Sequence, residues 1–201
     1  MFMWISWMRL IWYNYILFNL SSAILCLLNV GIMDIEACPV NCGCTLQPNQ
    51  SLVVSCFDPS GANVTDYLPA VLPSNPELMS LVIEGSGINS IPSEVCKLSN
   101  LETLNLNNNS LEILDPRCFA ELKSLKRIEA RENKLTELSD HLFDENQLLQ
   151  SIDLSYNDIS IIGLHVFSNP RHLMSLEFVS LGNNKLTSIE PWPLIRMLFR
   201  W

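Results

Sequence analysis

A single spacing governs what this chain can fold into. Five segments of it superpose on one pattern, an apolar residue followed by others three, five and ten positions on, with a polar residue eight positions on. They are Leu78-x-x-Leu81-x-Ile83-x-x-Ser86-x-Ile88, Leu101-x-x-Leu104-x-Leu106-x-x-Asn109-x-Leu111, Leu125-x-x-Ile128-x-Ala130-x-x-Asn133-x-Leu135, Leu149-x-x-Ile152-x-Leu154-x-x-Asn157-x-Ile159 and Leu176-x-x-Val179-x-Leu181-x-x-Asn184-x-Leu186. Their starts are separated by 23, 24, 24 and 27 residues. A second series, Val95, Phe119, Phe143 and Phe167, advances by 24 residues at each step. Two registers agreeing over successive turns define a structural repeat, whose units bury their apolar faces only by stacking.

The spacing within each unit sets its local conformation. Apolar residues at the fourth and sixth positions, such as Leu104 and Leu106, alternate as in a half-buried strand and point to one side. Thr103, Asn105 and Asn107 then point to the other. Stacked strands of this kind make a parallel sheet over a continuous core. The polar residue falls where the chain turns away from the strand. An amide there carries two donors and an acceptor, enough to serve backbone groups that the turn strands. Asn109, Asn133, Asn157 and Asn184 are therefore read as structural, and Ser86 marks the first turn as the least regular. The pattern is that of leucine-rich repeats, with a period of about 20 to 29 residues. The fold class expected is α/β: a leucine-rich-repeat solenoid of about five repeats with a concave parallel sheet.

The amino-terminal third differs. Leu10 to Met33 carries no charge, Arg9 precedes it, and Asp34 and Glu36 follow. A basic start before an apolar run describes a secretory signal, with cleavage expected after Gly31. The rival is an uncleaved anchor, with Arg9 inside and all that follows Asp34 outside. Both export the rest of the chain. Arg9 is the one charge in residues 1–31, so the remainder holds 11 basic and 21 acidic residues, a net −10. That sign argues against nucleic acid or anionic lipid as partner. A membrane enters only through an uncleaved anchor or a missing carboxy-terminal span.

Of seven cysteines, Cys26 lies in the export segment. The other six, in an oxidising compartment, are expected in disulfides. Cys38, Cys42, Cys44 and Cys56 cluster; thiolates so spaced also suit zinc, and spacing does not choose among the three possible pairings. Cys96 and Cys118 stand at similar places in successive repeats, so a bridge between them is expected, against the alternative of two buried thiols.

Cys38-Pro39…Cys42-x-Cys44…Cys56, just before the first repeat, resembles the amino-terminal cysteine cap of extracellular leucine-rich-repeat proteins. The resemblance implies Cys38–Cys44 and Cys42–Cys56 pairs. The 24-residue repeats with Phe119, Phe143 and Phe167, the segment Asp153-Leu154-Ser155-Tyr156-Asn157 and the segment Ile88-Asn89-Ser90-Ile91-Pro92 resemble animal cell-surface receptors, Toll-like receptor ectodomains among them. The likeness covers about residues 38–193 and implies a role in innate immunity. It divides the chain into an export segment (1–31), a cap (32–77), repeats (78–190) and an irregular tail (191–201). The family normally closes its far end with a second cysteine cap. No cysteine follows Cys118 here, so either the tail covers the last layer or the sequence is a piece of a longer protein, the preferred reading.

Function is sought on the surface. Asn49, Asn63 and Asn108 open N-x-Ser/Thr triplets that export would expose to glycosylation. Partners of such solenoids bind the inner sheet. Arg127, Glu129, Arg131, Asp153, Tyr156 and Phe178 are expected to form a contact patch there, set against a merely solvated face. The three extra residues of the fourth repeat, around Asn169-Pro170-Arg171-His172, are expected to bulge outward. His141, His165 and His172 fall in the outer segments, and no nucleophile motif or phosphate loop occurs. The expectation is a non-enzyme without catalytic residues, metal or cofactor. It would bind a protein, glycan or microbial ligand as part of a receptor ectodomain; the alternative is a secreted structural or regulatory protein, such as a matrix component or soluble decoy.

Overall fold

A computed structural model describes residues 42–47, 51–56, 64, 68, 69, 72, 77–167, 175–187, 199 and 200. All lie in the second of the two units into which the chain divides, Glu36–Trp201. The export segment, Cys38, Asn49, Asn63, the insertion with His172, and most of the tail fall outside the described residues. So do the side chains of Cys42, Cys44 and Cys56.

The repeats form the strands that their spacing demands. β3 (Ser80–Glu84), β4 (Thr103–Asn105), β5 (Arg127–Glu129), β7 (Ser151–Asp153) and β9 (Phe178–Ser180) run parallel, in that order, within one sheet. Leu81, Leu104, Ile128, Ile152 and Val179 occupy one register row, and every one of them is buried. Five repeat strands enclose four full turns. The fold is a leucine-rich-repeat solenoid.

Two further strands lead into this sheet, β1 (Cys42–Gln47) and β2 (Ser51–Cys56), an antiparallel pair in which β2 runs parallel to β3. The pairing sets Cys42 opposite Cys56. At the other end β10 (Phe199–Arg200) pairs parallel with β9, so part of the tail adds a strand to the last described repeat. A second, two-stranded sheet joins β6 (Glu137–Leu138) to β8 (Ile161–Ile162) on the flank where the chain leaves the main sheet.

The outer side is built mainly of turns. An α-helix of the second repeat, α1 (Pro116–Glu121), starts where the Asp115 side chain accepts from the Arg117 N–H and Pro116 takes a first-turn position that needs no donor. A 3-10 turn, Val95–Lys97, holds the equivalent place one repeat earlier. Beneath them the aromatic series stacks: Phe119 meets Phe143 edge-on at 5.5 Å between centroids, and Phe143 meets Phe167 at 6.2 Å. Such contacts add about 0.5–1.5 kcal/mol each to simple burial. The spacing of 24 thus maintains a second core column, parallel to the leucines. A disulfide joins Cys96 to Cys118, Cα atoms 4.8 Å apart, between the first two repeats.

Candidate functional site: the concave face and its supports

The polar face of the sheet is held rigid from behind by the asparagine series. The Asn109 amide donates to Ile83 O, Leu106 O and Asn107 O, while its oxygen accepts from the Ser86 and Ile88 N–H groups. Asn133 donates to Leu106 O and Arg131 O and accepts from Leu111 N–H. Asn157 donates to Ala130, Leu154 and Ser155 carbonyls and accepts from Leu135 N–H. Asn184 repeats the arrangement on Leu154, Leu181, Gly182 and Ile159. Each side chain serves its own turn and the preceding one, at distances of 2.7 to 3.4 Å.

Ser86 sits in the same place yet is too short to reach back. It is fully buried, its hydroxyl donating to Glu84 O. This first turn differs in a second way, with left-handed glycines on both sides of the serine, Gly85 (φ 61°) and Gly87 (φ 66°). In the later turns one residue, immediately before the asparagine, takes that conformation: Asn108, Glu132, Tyr156 and Asn183, with φ between 54° and 57°. The left-handed corner is therefore a property of the repeat, and the sequence hides it because three different residue types, Asn, Glu and Tyr, fill it. Asn108, the triplet asparagine, is exposed at its corner, with its backbone N–H donated to Arg131 O.

The outward residues of the strands fall into registered rows. One row runs Ser80, Thr103, Arg127, Ser151, Phe178. The next runs Val82, Asn105, Glu129, Asp153, Ser180. Of the six residues proposed as a patch, Arg127, Glu129, Asp153 and Phe178 stand in these rows, and Arg131 and Tyr156 at the strand exits. They are linked. Glu129 accepts from Asn105 Nδ2 at 3.2 Å and Asn107 Nδ2 at 3.4 Å. Arg131 Nε stands 3.8 Å from Asp153 Oδ2, an ion pair too long for a hydrogen bond. The Arg131 guanidinium lies 5.5 Å from the ring centroid of Tyr156, within cation–π range. Asp153 is further held by the Ser155 hydroxyl at 2.6 Å and the Ser155 N–H at 3.1 Å. At the strand-start rim Lys126 pairs with Glu102 at 2.6 Å.

Sequence reasoning missed two features of the outer side. Asn146 is fully buried, and its amide donates to Phe119 O and Leu122 O at 2.8 Å each, satisfying carbonyls that α1 leaves open. The signal was a polar residue where the two earlier repeats have Leu98 and Leu122. The second feature is an imidazole stack. His141 and His165, from successive repeats, stack nearly parallel with centroids 5.0 Å apart, and His141 Nδ1 meets Asp144 Oδ2 at 2.7 Å. Asp140 accepts the His165 backbone N–H at 2.8 Å, and that bond chiefly holds its carboxyl below the usual range. An open cleft of about 390 Å³ beside the disulfide is lined by Ser90, Ile91, Ile113, Asp115 and the two cysteines among others.

With this geometry in view, comparison places the chain among known folds. Residues 76–135 match the Leucine rich repeat family. No curated protein matches it. Among solved structures, a TLR13–ssRNA13 complex is similar, with a TM-score of 0.54 and 22% identity over 77% of this chain and 20% of that one. The chain spans about a fifth of the length of that molecule, and the likeness is one of fold.

Proposed function

We propose that this chain is an extracellular recognition module, part of a receptor ectodomain, that binds a protein or glycan ligand through its concave sheet. The observation that carries the reading is the contrast between the two faces of the strands. Behind the sheet, leucines and asparagines repeat almost without change; in front, each turn presents different side chains, cross-braced by Arg131, Asp153 and Tyr156. A rigid frame bearing variable contacts is the architecture of a binding surface, and aromatic and arginine side chains are the types that dominate interface energies. The fold is typical of binding scaffolds, and none of the six patch residues is arranged as a nucleophile with its base. The TLR13 structure carries single-stranded RNA; here the strands and their exits hold Glu84, Glu129 and Asp153 against Arg127 and Arg131, in a chain of net charge −9, which favours protein or glycan.

Two measurements test this. Expressed in animal cells with residues 1–31 in place, the chain is expected in the medium, with glycosidase-sensitive mass at Asn49, Asn63 or Asn108 and Cys38–Cys44 and Cys42–Cys56 pairs on peptide mapping. Retention in the cytosol with free thiols refutes export. An oligomerised form is then screened against arrayed extracellular proteins and glycans. Hits are expected to vanish when Arg127, Glu129, Arg131, Asp153, Tyr156 and Phe178 are together replaced by alanine, and to survive changes at exposed outer residues such as Lys123 and Glu145. The reverse pattern refutes the concave site.

A further inference from the structure

Most charged side chains of the concave face and its rim already have partners. Glu129 is held by two asparagine amides, Asp153 by Arg131 and Ser155, and Lys126 by Glu102. Arg127 is different. It is exposed, in mid-sheet, and no ion pair or side-chain hydrogen bond engages it among the described residues. Its register neighbour on β7 is Ser151, and the next, on β9, is Phe178. Strands in a sheet lie about 4.8 Å apart, so Arg127 and Phe178 rise roughly 10 Å from one another with a short serine between. The row is a notch: a free guanidinium on one wall, a part-exposed aromatic ring on the other, and a hydroxyl on the floor. In the adjoining row Asp153 pairs with Arg131, and Glu129 is held by two neutral amides, so neither forms an ion pair with Arg127. Glu177, exposed on the rim beside Phe178, makes the aromatic end the negative one.

We propose that the Arg127–Ser151–Phe178 notch docks an extended segment of a protein partner that presents a carboxylate side chain close to an apolar one. The inference rests on the concave-face reading and narrows it. A planar guanidinium pairs a carboxylate through two parallel hydrogen bonds. Phe178 supplies the apolar contact, and Glu177 orients the partner, its acidic group toward β5 and its apolar group toward β9. A single cation suits a single carboxylate. A nucleic-acid strand, with a phosphate at every step, needs a track of cations, and the next row along offers Glu129 and Asp153 instead.

The test uses the full secreted chain and a random peptide library displayed on phage. Selected clones are expected to share Asp or Glu within a few positions of Leu, Met or Phe. Each synthesised peptide should lose affinity by about tenfold or more on Arg127→Ala, the scale of a desolvated charged contact, and recover part of it with Arg127→Lys. Replacing the peptide's acid by its amide should cost the same and add nothing further in the Arg127→Ala background. Phe178→Ala should weaken binding as well; Phe178→Leu, which keeps the buried bulk, guards against a folding defect. Clones that lose binding on Tyr156→Ala or Asp153→Ala yet ignore Arg127 overturn the notch and leave the concave reading intact. Clones indifferent to every concave substitution overturn both. A single-stranded RNA oligonucleotide that binds through Arg127 more tightly than any selected peptide also overturns the assignment.

Discussion

Asn157→Ala should be among the most destabilising single changes in this solenoid, and its magnitude follows from the hydrogen bonds it deletes. The side chain is 7% exposed and makes four contacts, donating to Ala130 O at 2.9 Å, Leu154 O at 3.0 Å and Ser155 O at 3.2 Å and accepting from Leu135 N–H at 3.1 Å. Leu154 O keeps a second donor, the Asn184 amide, so its loss is partly covered. Ala130 and Leu135 are fully buried, and alanine at 157 leaves the carbonyl of one and the N–H of the other facing apolar side chains. An orphaned buried group costs about 1–3 kcal/mol. Two of them, with a small void, give about 3–4 kcal/mol. Asn184→Ala, in a partly buried setting, should cost roughly half as much on the same grounds. Urea unfolding of the purified chain followed by circular dichroism measures both. A loss below about 1 kcal/mol for Asn157→Ala, or an equal loss at the two positions, would refute the claim that the asparagines act by satisfying buried backbone.

Other outcomes can be stated briefly. Glu132 holds a left-handed conformation (φ 54°) with an exposed side chain, so Glu132→Gly, matching Gly85 in the first turn, should raise stability by about 0.5–1 kcal/mol in the same urea assay. A methyl group on Gly163 would lie 2.6 Å from the Asp140 backbone nitrogen and from its Oδ1; Gly163→Ala should cost about 2 kcal/mol and lower the melting temperature measurably. Replacing Cys96 and Cys118 together by alanine removes a cross-link spanning 22 residues, with an expected loss of about 3 kcal/mol on the chain-entropy account. Asp140 has its carboxyl lowered on folding, mainly by the His165 backbone N–H. Its contribution is therefore present above the ordinary carboxylate value and lost as pH falls through the lowered one. Unfolding midpoints of Asp140→Asn should fall less steeply than those of the parent chain below about pH 4; parallel slopes would dismiss the effect.

How much of this was legible in the sequence depends on which interactions repeat. The leucine and phenylalanine columns were readable because every turn must fill the same volume with the same kind of side chain, so periodicity exposes them. The asparagine positions were readable for the same reason, although the reach of each amide into the preceding turn is a matter of geometry. Ser86 was rightly singled out as a departure, but its companions Gly85 and Gly87 were not. The left-handed corner escaped notice because it constrains the backbone and tolerates Asn, Glu or Tyr, leaving no common letter. Asn146 was hidden by the opposite cause: it occurs once, so no series marks it. The six patch residues were placed on one side by strand alternation, yet which charges are spent on neighbours and which stay free needed distances. Arg127 and Arg131 look alike in sequence; one is tied to Asp153 and Tyr156 and the other is not.

The direction of the amide reach has a consequence for how the molecule is made. Asn109 ties down Ile83, Ser86 and Ile88; Asn157 ties down Ala130 and Leu135. Each of the first four coils is thus fastened by a latch that the ribosome delivers about one period later. Synthesis from the amino terminus would lock the stack coil by coil, the newest always waiting on sequence still unmade. An arrest after any given coil would leave that one unlatched while all earlier ones stay shut, a failure confined to the growing tip.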